Sequence, residues 1–191
     1  MNLILASASP RRADILCQLG FEFSVRPVDI DESVHPNEAP EAYLERVVDA
    51  KALAATLQGA HMLPTETLLV ADTVVVCDGQ ILGKPQTAAE HIHMLTQLRG
   101  RMHWVMTRFA LRYGLVNVAR TVRTEVYVSA ISDEQLRHYV AQGEGSDKAG
   151  GYAIQGLFAR YIEGIAGSYT SVVGLPAHEV STALLALSPS R

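Results

Sequence analysis

A chain of 191 residues that is 48% hydrophobic and 19% charged is long enough to bury its own core and too apolar to be disordered. Its formal net charge of -4 argues against a general nucleic-acid binder, which would carry a basic stripe, so any anion must be captured locally. Two cysteines, Cys17 and Cys77, without CxxC spacing read as buried free thiols in a reducing cytosol, and no apolar run is long enough for a bilayer span, so a cytoplasmic protein with no membrane partner is expected.

Residues 2 to 6 read as a short buried strand. Ser9-Pro10 opens a helix, with Ser9 as N-cap, Pro10 at the first helical position, Ile15, Leu16 and Leu19 apolar, and Gly20 as terminator. A second helix is expected from about Pro40 to Leu57, with Leu44, Val47, Val48 and Ala55 on one stripe, and Lys51 on that same stripe. Residues 67 to 77 look like a buried strand, which Asp78-Gly79 turns into a hairpin with Gln80-Ile81-Leu82. Two helices carry capping-box patterns, Thr87 with Glu90 and Ser132 with Gln135, ending at Gly100 and Gly143. Between them, residues 103 to 113 and 120 to 130 read as strands. The tail reads as a strand near 170 to 173, a Gly174-Leu175-Pro176 turn and a final helix through Leu187. No repeat or linker divides the chain, so one domain over residues 1 to 191 is expected, of α/β class with a mixed twisted sheet flanked by helices.

Several side chains are placed where structure alone does not ask for them. Arg11 and Arg12 put two cations into the opening turn of a helix, where the macrodipole is already positive. An anion held by the turn's N–H groups, the hydroxyls of Ser7 and Ser9 and a guanidinium fork would reverse that conflict; a solvated arginine pair is the alternative. Asp72 sits between Leu68-Leu69-Val70-Ala71 and Val74-Val75-Val76, where an unpaired carboxylate is costly unless a cation, metal or cleft adjoins it. The alternative is a strand that stops at Ala71. Lys51 on its apolar stripe and Lys84 in Gly83-Lys84-Pro85 are candidate phosphate partners, or else stems packed on the core with solvated ammonium groups. Glu32 belongs to the acidic run Asp29-Ile30-Asp31-Glu32, suited by its oxygens to help hold Mg²⁺. In Asp147-Lys148-Ala149-Gly150-Gly151-Tyr152-Ala153-Ile154-Gln155-Gly156, glycines admit close backbone approach and Gln155 can both donate and accept toward a base edge. The seven histidines form no metal-ligand spacing, and there is no Walker A, no GxGxxG after the first strand and no nucleophile elbow.

Taken in order, these pieces resemble the Maf family of nucleotide pyrophosphatases. The match runs through Ser7-Ala8-Ser9-Pro10-Arg11-Arg12, Lys51-Ala52, Ala71-Asp72-Thr73-Val74-Val75, Gly83-Lys84-Pro85, His103 with Val105 and Thr107, Asp147-Lys148-Ala149-Gly150, Ile154-Gln155-Gly156 and Val173-Gly174-Leu175-Pro176. The resemblance implies a two-lobed α/β protein similar to the inosine triphosphate pyrophosphatases, with a nucleotide cleft between the lobes. It implies Asp72 as catalytic base and Ser7, Arg12, Glu32, Lys51 and Lys84 as further catalytic and phosphate-binding residues, with Ser7, Arg12, Lys51 and Lys84 on the substrate; a divalent cation, Mg²⁺ or Mn²⁺, held by Asp72 with Glu32 is the expected cofactor. Branches of the family differ at three places, here Arg11, Thr73 and Gln155, and this set resembles the branch acting on dTTP and UTP. Enzymes for 7-methyl-GTP or inosine and xanthosine triphosphate, and a non-catalytic nucleotide-binding regulator of cell division, are the competing readings. A homodimer is expected from resemblance alone.

Overall fold

The computed structural model describes residues 2–58 and 65–187. In chain order the elements are β1 (Asn2–Leu5), α1 (Pro10–Gln18), β2 (Phe23–Val25), α2 (Pro40–Gln58), β3 (Glu66–Cys77), β4 (Gln80–Leu82), α3 (Ala88–Leu98), β5 (Met102–Tyr113), β6 (Val116–Val128), α4 (Asp133–Ala141), β7 (Ile162–Ala166), α5 (Tyr169–Val173) and α6 (Ala177–Leu187), with 3-10 turns at Ala149–Gly151 and Leu157–Tyr161. The sheet is mixed, in the order β2-β1-β3-β5-β6-β7 with β4 paired to β3. β1 runs parallel to β2 and β3, whereas β4 and β7 pair antiparallel with β3 and β6. This is the α/β class with helices flanking a mixed sheet that the alternation of patterns predicts.

The chain forms two compact units. The first comprises Met1–Asp72, Thr107–Val122 and Gly174–Arg191, and the second Thr73–Met106 and Arg123–Val173. The long strands β3, β5 and β6 each contribute a stretch to both. In the first unit, Ile4 and Ala6 of the β1 segment, Leu68 and Val70 of β3 and Ala110 of β5 pack against Val48 and Ala52 of α2. Leu44, Val47, Val48, Lys51 and Ala52 of α2 are all buried, the 3-4-7-8 spacing of a single helix face. In the second unit the core joins Val75, Cys77, Leu95, Leu98, Val105, Val126, Val128, Leu136 and an aromatic group that includes Tyr139, Tyr152 and Phe158.

The Asp78-Gly79 turn forms as expected, both residues at positive φ (50° and 77°), the conformation a two-residue hairpin needs. Ser132 and Gln135 make a full capping box, but Thr87 and Glu90 make half of one. The Thr87 hydroxyl accepts from the Glu90 amide, while the Glu90 carboxylate reaches back to the amide of Gln86 at 2.8 Å instead of to Thr87. Residues 169 to 173 are helix, not strand: the Ser168 hydroxyl accepts from the Ser171 amide and starts a turn that outweighs the β-branched Thr170, Val172 and Val173. β2 and β7, edge strands of three and five residues, are additions to the elements expected from sequence. Cys77 is buried as expected, but Cys17 is exposed, because α1 turns Arg12, Ile15 and Leu16 inward and position 17 falls outside that face.

Candidate active site

The centre of the first unit's chemistry is Asp72. β3 continues through it, and its two-residue alternation sets Asp72 on the face that carries Leu68 and Val70, the face covered by α2. Only 7% exposed, the carboxylate meets a cation there: Lys51 Nζ donates to Asp72 Oδ1 at 2.8 Å. Lys51 is itself 7% exposed, so the apolar stripe of α2 does aim its ammonium inward. The same nitrogen lies 2.7 Å from Glu32 Oε1.

Glu32 lies in a loop without helix or strand, and α2 holds that loop from below. Tyr43 donates its hydroxyl to the Glu32 carbonyl at 3.0 Å, and Arg46 donates to the Ser33 carbonyl at 2.8 Å. Arg46 also forks onto both Glu38 oxygens and holds that carboxyl down at about 2. The Glu32 side chain is 46% exposed, so one end of the Asp72-Lys51-Glu32 cluster is buried and the other is wet.

The second group lies at the start of α1. Ser9 takes the extended N-cap conformation, but its side chain makes no capping bond, so the hydroxyl does not serve the helix as the sequence pattern suggests. Ser7 instead organises the turn. Its Oγ accepts from the Ser9 amide at 3.2 Å and from Arg12 at 2.9 Å. Those two bonds use both hydroxyl lone pairs, which leaves the Ser7 O–H as a donor, the capacity that a phosphate oxygen needs. Arg12, 8% exposed, also donates Nε to the Gly174 carbonyl at 2.9 Å, fixing the plane of its guanidinium. Burial lowers the basicity of Arg12, the negative charges of Asp72 and Glu32 work against that, and neighbouring Arg11 lowers it further. Asp72 and Glu32 thus lie within electrostatic reach of the cation at the helix start.

Six of the residues singled out from sequence, Ser7, Arg11, Arg12, Glu32, Lys51 and Asp72, therefore belong to the first unit, where Ser7 bonds Arg12 and Lys51 bonds both Asp72 and Glu32. Thr73, Lys84 and Gln155 belong to the second unit; Lys84 and Gln155 are exposed and Thr73 is half-buried. Gly83 and Gly150 are joined there, the Gly150 amide donating to the Gly83 carbonyl at 2.9 Å. Gly150, at φ 71°, passes so close to Val75 that an added Cβ would lie 2.9 Å from its methyl groups, which is why the turn needs glycine. Sequence reasoning missed Tyr43 and Arg46, and it gave Gly174, quoted in a matched motif, no contact with Arg12; all three act through backbone carbonyls, which leave no residue-type signal.

Asp72 and Glu32 share one cationic partner, so their coordinating oxygens converge on one place. Paired carboxylates are hard oxygen donors of the kind that hold Mg²⁺ or Mn²⁺ together with substrate phosphates and water, and in that respect the residues fit such an ion. Among the described residues no group of three His, Cys, Asp or Glu side chains gathers to form a cage made by protein alone.

Proteins similar to this chain include those named dTTP/UTP pyrophosphatase from Citrifermentans bemidjiense, 44% identical over 96% of this chain and 94% of its own length, and from Desulfotalea psychrophila, 46% identical over 96% and 93%. A third, from Chromobacterium violaceum and of the same name, is 46% identical over 96% of this chain and 92% of its own. Among solved structures, the Ham1 protein of Staphylococcus aureus gives a TM-score of 0.46 at 13% identity, covering 67% of this chain and 72% of that one. Residues 2–187 match the Maf-like protein family, and with relatives of this identity along its length the chain belongs to that family.

Proposed function

We propose that this protein is a nucleoside triphosphate pyrophosphatase that hydrolyses dTTP and UTP to the monophosphate and pyrophosphate. The observation that carries the reading is the buried Asp72-Lys51 pair, shared with Glu32 and set within electrostatic reach of Arg12. A structural role accounts poorly for it, because a buried ion pair adds little net stability over an apolar pair of equal size. The substrate is supported by relatives named for dTTP and UTP that share nearly half of this chain's residues.

In this mechanism the opening turn of α1, the Ser7 hydroxyl and the Arg12 guanidinium receive the phosphates, the helix end adding its partial positive charge. Arg12 and Lys51 offset the negative charge that grows on the leaving pyrophosphate, and Lys84 contributes in the same sense. Asp72 accepts a proton from the attacking water as its oxygen bonds to the α-phosphorus and the bond from that phosphorus to the bridging oxygen breaks. Lys51 fixes the position of the carboxylate during that step. Asp72 and Glu32 would hold a divalent ion, Mg²⁺ or Mn²⁺, which when bound would supply further neutralisation of phosphate charge. Arg11, Thr73 and Gln155 select the base. We further place the enzyme in the cytoplasm as a homodimer, on family resemblance; no helix of the described residues is long and apolar enough to cross a membrane.

The test is a panel of dTTP, UTP, CTP, 7-methyl-GTP and ITP with Mg²⁺ or Mn²⁺, read as pyrophosphate release. The highest kcat/KM values are expected for dTTP and UTP. Preference for a purine overturns the specificity, and no release from any of the five overturns the activity.

A further inference from the structure

Gln155 is exposed, yet the backbone on either side of it is held by side chains from a single stretch of chain, Tyr139 to Glu144. Ahead of Gln155, the Ala153 amide donates to the Tyr139 hydroxyl at 3.3 Å. Beyond it, the Glu144 carboxylate accepts two amides, Leu157 at 2.8 Å through Oε2 and Phe158 at 3.2 Å through Oε1. The Glu144 carboxylate also lies near enough to the Tyr139 hydroxyl for its charge to act on the phenol. Burial and then the Glu144 charge push that hydroxyl well above its ordinary pKa, so it stays a donor.

Packing agrees with the hydrogen bonds. The Tyr139 ring meets Phe158 edge-on at 5.1 Å, and Phe158 is fully buried, so the anchor for the far side of the loop is part of the core. Gly156 is the point at which the carboxylate passes: a Cβ there would lie against it, with Oε1 at 2.5 Å. Since that carboxylate is the far end of a flexible side chain, a methyl group at position 156 would displace it.

We infer that Glu144, assisted by Tyr139, is a positioning residue for base recognition: it fixes the backbone after Gln155 while Tyr139 fixes the backbone before it, so that the Gln155 amide is presented in one place. Gln155 then meets the base without first ordering its own loop, and that ordering cost is what the network removes from binding. The inference rests on the pyrimidine nucleotide reading proposed above.

The experiment is steady-state kinetics with dTTP and UTP on the full-length chain, paired with competitive inhibition by inorganic pyrophosphate, which lacks a base. In Glu144→Ala, KM is expected to rise about tenfold, the equivalent of one charged hydrogen-bond anchor, with kcat changed less than about threefold and pyrophosphate inhibition unchanged. Glu144→Gln, which retains one acceptor oxygen, should fall between, and it carries the test if the alanine variant does not fold. Gly156→Ala should reproduce the KM rise by evicting the carboxylate, and combining it with Glu144→Ala should add nothing. Additive effects, an unchanged KM in Glu144→Gln and Gly156→Ala, or a parallel loss of pyrophosphate binding overturns the positioning role. Gln155→Ala separates the two layers: an unchanged KM there defeats base recognition by Gln155 itself, whereas a raised KM beside normal Glu144 and Gly156 variants defeats only the positioning.

Discussion

Replacing Lys51 with methionine removes one ammonium from between two carboxylates and leaves the stem of the side chain in place. Lys51 and Asp72 are 8% and 10% exposed at the side chain, so this is a buried pair, and stranding one member of such a pair costs about 3 to 5 kcal/mol. Glu32 is 46% exposed and keeps its hydration, so its contact with Lys51 has the surface value of about 0 to 1 kcal/mol. The Asp72 contact therefore dominates, and since methionine recovers some packing, the lower end, about 3 kcal/mol, is the expected loss. For a chain of this size that lowers the melting midpoint by about 6 to 12 °C. Thermal and urea unfolding of Lys51→Met, Asp72→Asn and the double variant form a cycle in which the two changes should be coupled by about 2 kcal/mol, because the double variant strands no charge. A midpoint within about 2 °C of the parent, or single effects that sum to the double within about 0.5 kcal/mol, would refute the reasoning.

Two further outcomes follow from groups around the site and core. His103 is 1% exposed, accepts or donates one bond with Tyr152 at 2.7 Å, and its Nδ1 has no hydrogen-bond partner among the described residues; burial pulls its pKa down from 6.5 to about 4. Because the unfolded chain binds the proton first, this group's contribution is complete above pH 6.5 and is lost as pH falls toward 4, by about 3 kcal/mol in all. Urea unfolding between pH 7 and 4 should show that loss in the parent and a correspondingly flatter profile in His103→Phe; equal slopes contradict it. Arg12→Lys keeps the charge but replaces the planar fork, whose Nε and Nη1 reach the Gly174 carbonyl and the Ser7 hydroxyl from two separate positions, with a single ammonium, so kcat/KM for dTTP should fall about 100-fold. A loss below about fivefold would mean that the fork is not used.

Much of the site was legible because its residues violate local rules. A lysine on the apolar stripe of α2, an aspartate inside a valine-rich strand and two arginines at a helix start each need a partner, and the structure supplies Asp72 to Lys51 and Ser7 and Gly174 to Arg12. The partners themselves were less legible. The Gly174 carbonyl lies 162 residues from Arg12, and a carbonyl carries no residue identity to read. The role of Glu144 was invisible for a related reason: it binds amides, not side chains, and only the missing Cβ of Gly156 betrays its path. The fold shows the same division. Long periodic elements such as α2 and β3 follow from burial pattern, whereas the helix at residues 169 to 173 depends on a serine cap that overrides β-branched propensity. β7, with Gly164 at its centre, is recruited by pairing with β6 and not by its own sequence.

The measurement that bears most directly on the central claim is pyrophosphate release from dTTP by Asp72→Asn, made on protein shown by circular dichroism to be folded. Loss of the proton acceptor predicts a fall in kcat of about 1,000-fold with the nucleotide still bound. A folded variant that turns over within about tenfold of the parent would show that the carboxylate held by Lys51 is not the base.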